Sequence, residues 1–176
     1  TSDRIVRAFD LSEFNHLVDL GGATGHLAIA ACRAYPNLRA TVLDLPSVEP
    51  YAREFISQAG LTDRIDFQAA DFFRDELPPA DLYGLGRILH DWPDASIHTL
   101  LSKINGDLLI TEVLLDEDRS GPLYAMLQDL NMLVCTDGKE RTASEYEQLL
   151  KTAGFTRFEF HRTNSLVDGI LAHRQG

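Results

Sequence analysis

His16-Leu17-Val18-Asp19-Leu20-Gly21-Gly22-Ala23-Thr24-Gly25-His26-Leu27 decides how the rest of this chain is read. A short apolar run carries an acid, passes through a glycine-rich turn and reopens as an alanine-rich apolar helix. Strand, tight loop and helix N-terminus in that order open an α/β nucleotide-type site. Glycines suit such a loop because its backbone needs unusual φ/ψ and must come close to a ligand. The dinucleotide fingerprint G-x-G-x-x-G is met in no frame: Gly21 would need glycine at Ala23, and Gly22 at Thr24. A nicotinamide-dependent oxidoreductase therefore fails on the glycine spacing. The loop reads instead as Asp19-x-Gly21-x-Ala23-x-Gly25.

Outward from the loop, strands and helices alternate. Strands are expected at His16–Leu20, Ala40–Leu43, Ile65–Ala69, about 80–85 and 108–115. Helices are expected from Gly25 to Tyr35, from an N-cap at Ser47 to Ala59, and over 94–104. Such alternation implies a parallel sheet covered on both faces. A helical face follows Pro122, and a further helix runs from an N-cap at Ser144 to Ala153. Two strands, 155–161 and 166–172, close the chain. Residues 4–14 read as a lead-in, the tail of a helix. The division expected is a lead-in over 1–13 and one catalytic domain over 14–176.

The chain has 176 residues, 44% hydrophobic and 24% charged, which suits a single α/β domain with a proper core. Its net charge of −11, with no basic run, argues against nucleic acid and anionic membrane surfaces. No apolar run approaches the roughly 18 residues of a membrane span, no signal peptide leads the chain, and a cytoplasmic protein is expected. Cys32 and Cys135 show no C-x-x-C spacing and read as two buried thiols. The first residue is threonine, as in a fragment or a processed chain.

The glycine loop resembles motif I of class I S-adenosylmethionine-dependent methyltransferases, with Ala23 at the middle glycine. Five further stretches narrow the resemblance: Leu43-Asp44-Leu45-Pro46, Asp71-Phe72-Phe73, Arg87-Ile88-Leu89-His90-Asp91-Trp92-Pro93-Asp94, Leu130-Asn131-Met132-Leu133 and Gly138-Lys139-Glu140-Arg141-Thr142. Together they resemble the small-molecule O-methyltransferases of the caffeate and acetylserotonin type. The resemblance implies a Rossmann-like class I methyltransferase fold: a mostly parallel seven-stranded sheet with a C-terminal antiparallel hairpin. It also implies an S-adenosylmethionine cofactor leaving as S-adenosylhomocysteine, a small hydroxylated substrate and no metal. Two departures stand out. Only Asn105-Gly106-Asp107 separates the helix 94–104 from the next strand, where the family has a longer Pro-Gly-Gly loop; a stretch missing here is favoured over a true deletion. The family's helical N-terminal domain, which makes the homodimer and lends residues to the substrate pocket, is also absent from these residues.

By resemblance, Gly21, Gly22 and Gly25 pack against the methionine and ribose part of the cofactor. Asp44, 25 residues after Asp19 and at a strand end, suits the ribose hydroxyls, with Leu45 beside it. Asp71 would take the adenine amine, with Phe72 and Phe73 as ring wall or core, and Arg87 falls on the cofactor side. His90 is the candidate base: a phenol titrates near about 10 and an imidazole near about 6.5, so neutral histidine in contact can take the proton. Glu112 and Glu140 would orient the imidazolium. An acid inside the apolar strand 108–115 is costly without a partner, which independently gives Glu112 a task. Asp91, Asn131 and Cys135 are the substrate-side candidates; Met126 and Met132 are pocket or plain core. The other histidines show no ligand spacing. The rival to an O-methyltransferase is a catalytically silent binding or regulatory module of the same fold.

Overall fold

The computed structural model describes residues 2–163 and 166–174, so the outermost ends of the expected lead-in and catalytic domain lie outside the described residues. The chain runs α1 (Ser2–Ala8), β1 (His16–Leu20), α2 (His26–Ala34), β2 (Arg39–Asp44), α3 (Glu49–Gln58), β3 (Ile65–Ala69), β4 (Leu82–Gly86) and α4 (Asp94–Leu101). It continues through β5 (Asp107–Glu112), β6 (Leu114–Leu115), α5 (Leu123–Cys135), β7 (Arg141–Thr142), α6 (Ala143–Thr152), β8 (Phe155–His161) and β9 (Asp168–Arg174). Seven strands form one sheet in the order β3-β2-β1-β4-β5-β9-β8. The first five are parallel, β9 lies antiparallel on β5, and β8 antiparallel on β9. This is the mostly parallel sheet with a terminal hairpin that the sequence implied.

Central strands are apolar on both faces because helices cover both. Leu17 packs with Ile5, Ala28, Val42 and Ile56 on the side of α1, α2 and α3. Its neighbour Val18 points the other way, packing with Ile97, Leu100, Tyr146 and Leu150 on the side of α4 and α6. The lead-in belongs to the same core, since Ile5, Val6, Phe9 and Leu11 are all buried.

Several boundaries differ from expectation, each for a local reason. Ser47 does not cap a helix: Pro46–Val48 is a 3-10 turn and α3 starts at Glu49, with proline suited to its first turn. Thr142, not Ser144, caps α6; its hydroxyl accepts from the Glu145 amide at 3.2 Å and its own amide donates to the Glu145 carboxylate at 2.9 Å. That capping box is written in Thr142-x-x-Glu145. The strand expected over 108–115 breaks at Val113, and Leu114–Leu115 leaves the sheet to pair with Arg141–Thr142. The last strand is set two residues later than expected. Cys32 is buried as expected, whereas Cys135 is exposed on α5. Among the described residues no helix is long and apolar enough to cross a membrane.

The short connection between α4 and β5 is held by local backbone hydrogen bonds. Lys103 and Ile104 amides donate back to Leu100 and Leu101, and the Asp107 amide donates to the Asp81 carbonyl at 3.0 Å. A Cβ on Gly106 would sit 2.7 Å from the carbonyl oxygens of Ala80 and Asp81, so glycine lets this backbone lie directly on the start of β4.

Candidate active site

Strand order reverses between β1 and β4, and the loops leaving their carboxyl ends diverge to open a crevice. The first is the glycine loop. Gly21 has φ +66°, and a Cβ there would lie 2.5 Å from the Ile88 side chain. Gly25, at φ +78°, is the N-cap of α2. Ala23 holds φ 48°, an uncommon conformation for a residue with a Cβ; its amide donates to Asp44 at 2.8 Å. The second Asp44 oxygen accepts from the Leu45 amide at 2.7 Å. Asp44 thus ties the end of β2 to the glycine loop, with Leu45 exposed beside it.

Two cavities of about 280 Å³ each meet at Gly21. One is lined by Gly21, Asp44, Leu45, Asp71, Phe72 and Phe73 together with Ile88 and Trp92. The other takes in Asp19, Gly21, Gly22 and Arg87. The first cavity therefore gathers six of the nine expected cofactor residues. Its walls are aromatic on one side, where Phe73 packs at a tilt against Phe72 and edge-on against Trp92, with ring centroids 4.8 and 4.6 Å away. Asp71 opens a turn in which its carboxylate accepts from the Phe73 amide at 2.9 Å. Gly25 lines neither cavity and acts through the helix start.

Asp19 is 2% exposed and accepts one long bond, 3.4 Å, from the Ala28 amide. Burial pushes its carboxyl up to about 7, helped by the charge of Asp44 and opposed by that amide. A Cβ on Gly22 would meet this carboxylate at 2.7 Å. An acidic group held this way next to a cavity suits a cationic ligand.

His90 sits in a 3-10 turn, Leu89–Asp91, on the loop after β4. It is buried, with Nδ1 2.8 Å from the Glu140 carboxylate and 3.8 Å from Glu112. Glu112, at the end of β5, accepts from the amides of Ile88 and Leu89 at 3.0 and 2.9 Å through one oxygen. Both acids are fully buried, and the second oxygen of each has no hydrogen-bond partner. Burial, less the charge of His90, pushes Glu112 up to about 7. For His90, burial favours the neutral ring, but the Glu140 bond and the charges of Glu112, Glu140 and Asp91 outweigh it and raise its pKa. Asp91 lies 3.6 Å from Nε2, the ring nitrogen that Glu140 leaves free.

What assembles this constellation is the segment 138–141. A Cβ on Gly138 would fall 1.9 Å from the His90 carbonyl oxygen, so this backbone lies directly on the His90 turn. The Glu140 amide donates to Asp129 of α5 at 2.9 Å. Arg141, 2% exposed, donates to the carbonyls of Leu89 and Trp92 at 3.2 and 3.3 Å and to Asp94 at 2.7 Å. Sequence reasoning gave Arg141 no task, although Gly138-Lys139-Glu140-Arg141 was the signal; it also passed over Ile88 and Trp92 as cavity walls. Arg87, at φ 57°, reaches Tyr124 and Gln128 of α5 at 3.3 and 3.4 Å. Asn131 and Cys135 lie on the same stripe of α5, spaced i+7 and i+11 from Tyr124; both are exposed and joined at 3.5 Å. Met132 is buried, while Met126 lines a groove of about 370 Å³ with Leu115, Leu130 and Leu133. Among the described residues His90, Glu112 and Glu140 also form a group that could offer three ligand atoms to an ion.

Comparison with known proteins fits this geometry. A family model described as an O-methyltransferase domain matches residues 1–156. Human acetylserotonin O-methyltransferase is 47% identical over 97% of this chain, which covers 51% of that protein. A crystal structure of human N-acetylserotonin methyltransferase in complex with S-adenosylmethionine superposes with a TM-score of 0.93 at 45% identity, over 99% of this chain and 52% of the other. A structure of a mitomycin 7-O-methyltransferase gives 0.90 at 31% identity, over 99% and 53%. The chain spans about half the length of the relatives it matches.

Proposed function

The chain belongs to the O-methyltransferase domain family, and from that premise we propose that it transfers a methyl group from S-adenosylmethionine to a hydroxyl of a small, aromatic metabolite. One observation carries the reading: a buried histidine bonded at 2.8 Å to a buried carboxylate, on the same loop that walls both Gly21 cavities.

The residues present fit the cofactor. The aromatic cavity with Asp44 and Asp71 suits adenosine, and the cavity of Asp19, Gly22 and Arg87 suits the methionine end, with an acid available for its ammonium. When bound, the cofactor supplies a methyl on a sulfonium, and attack by an oxygen forms the O–CH₃ bond, breaks C–S and leaves S-adenosylhomocysteine. The protein's part is to hold the acceptor in line and to remove its proton. With Nδ1–H donating to Glu140, the lone pair of His90 rests on Nε2, where it takes the hydroxyl proton. Glu140 and Glu112 then stabilise the imidazolium, and the proton is released to solvent. General-base help of this kind is worth roughly 10²–10⁴-fold. No step calls for a metal.

On the acceptor side, Asp91, Asn131 and Cys135 would contact the substrate. The apolar face of α5 supports completion of that pocket by chain beyond these residues: Leu123, Leu127, Leu130, Leu133 and Val134 are all exposed. We read residues 14–176 as the catalytic domain with 1–13 as its lead-in, and the longer protein as a cytoplasmic homodimer with neither nucleic acid nor membrane as partner; the acidic net charge of −11 supports the last two points.

The test is methyl transfer from isotopically labelled S-adenosylmethionine to N-acetylserotonin and a panel of hydroxylated arenes. Label in a methyl ether supports the reading. Cofactor binding with no acceptor methylated would favour the silent module.

A further inference from the structure

The short connection Asn105-Gly106-Asp107 holds Lys103 against the back of the turn that walls the aromatic cavity. Ile104 is fully buried on one side of it, and Gly106 lies on the Ala80 and Asp81 carbonyls just beyond. With its backbone fixed, half-buried Lys103 extends its ammonium to the Phe72 carbonyl at 2.6 Å and to the Asp75 carbonyl. Both acceptors belong to the turn 71–75. The turn's other bonds are local: Asp71 accepts from the amides of Phe73, Arg74 and Asp75, and the Asp75 carboxylate accepts from the Asp71 amide at 2.8 Å. Lys103 reaches it from 31 and 28 positions away. Bonds from an ammonium are stronger than those between neutral groups, so one side chain can set where this wall stands.

We propose that Lys103 is a positioning residue for the adenine end of the cofactor, its ammonium holding Phe72 and Asp71 where the ring is to stack and bond. The proposal rests on the cofactor reading above and adds a residue that touches neither cofactor nor acceptor. Methionine at 103 keeps the length and apolar stem but donates nothing, so two carbonyls lose a donor and the wall loosens. The His90 cluster is fastened separately, by Arg141 and Glu112, and is left in place.

The experiment is calorimetric titration of S-adenosylhomocysteine into wild type, K103M and K103R, with amide hydrogen exchange over 71–75 in the ligand-free proteins. K103M is expected to raise Kd roughly tenfold and to speed exchange in that turn but not at 88–91. K103R, which restores a donor, is expected to stay within about threefold of wild type. A K103M affinity within twofold of wild type, or a K103R as weak as K103M, overturns the proposal. Wild type that binds no S-adenosylhomocysteine overturns the cofactor reading instead, and the exchange data then still decide whether Lys103 fixes the turn. If K103M fails to fold, K103L, which likewise donates nothing, is read by the same criteria.

Discussion

His90 carries two opposed influences, and their balance sets when it can work. Burial disfavours the imidazolium, while Glu140, Glu112 and Asp91 favour it and win, so the proton is held to higher pH than in a free histidine. In the proposed mechanism the deprotonated ring is the base. Turnover at limiting substrate is therefore expected to rise with pH and to level off above the ordinary histidine value of about 6.5. Glu140→Gln removes a charge and weakens the Nδ1 bond, so the midpoint of that profile should move down while the plateau falls, by up to roughly 10²-fold. A pH–rate profile of the two proteins checks both; an unmoved midpoint would detach Glu140 from His90. At this scale the sequence was legible where chemistry is odd in its context. Glu112 in an apolar strand and Asp44 at a strand end announced themselves. Lys103 did not, because it acts on a backbone carbonyl far along the chain, that of Phe72, and no local pattern marks such a pair; Arg141 stood in Gly138-Lys139-Glu140-Arg141, but nothing there pointed to its partner, the Leu89 carbonyl.

The element that makes the site is a pair of backbone segments pressed together, the Leu89–Asp91 turn and residues 138–141. Gly138 permits the contact. Gly138→Ala would put a methyl 1.9 Å from the His90 carbonyl oxygen, both of them backbone-borne, so one segment must move. The expected cost is about 1–3 kcal/mol, as for other overpacked positions, and a fall in Tm of ~3–10 °C for a domain of this size. Turnover should drop further than stability alone explains, because His90 moves with the turn. Thermal melts beside turnover at a temperature where the variant is folded would show it; a variant with wild-type turnover would mean the contact does not set the base. Periodicity found the helices and most strands. It missed β7 and ran β6 into β5, because the pairing of Leu114–Leu115 with Arg141–Thr142 comes from distant chain. It misplaced the cap of α6, although Thr142-x-x-Glu145 was in view.

At the scale of the whole molecule, the parallel sheet was legible from alternation, because strands buried on both faces read as apolar runs; the reversal of order between β1 and β4 was not, since alternation leaves strand order open. The relation of α5 to the site was not. Its leucines promised a packed helix, yet Leu130 is 59% and Leu133 76% exposed. Cofactor binding is a property of the folded whole and should appear as stability. At a hundred times its Kd, S-adenosylhomocysteine is expected to add about 2.7 kcal/mol, a rise in Tm of ~5–10 °C, and Asp44→Ala should lose most of that shift. Differential scanning fluorimetry with and without ligand reads it directly; no shift at saturating ligand would count against the Gly21 cavities as the binding site. The most direct test of the central claim separates chemistry from binding at His90. Single-turnover methyl transfer and S-adenosylhomocysteine affinity are measured side by side for wild type and His90→Ala. The account predicts a loss of roughly 10²-fold or more in transfer with affinity unchanged within about threefold. Equal loss of both, or transfer that survives the substitution, would contradict it.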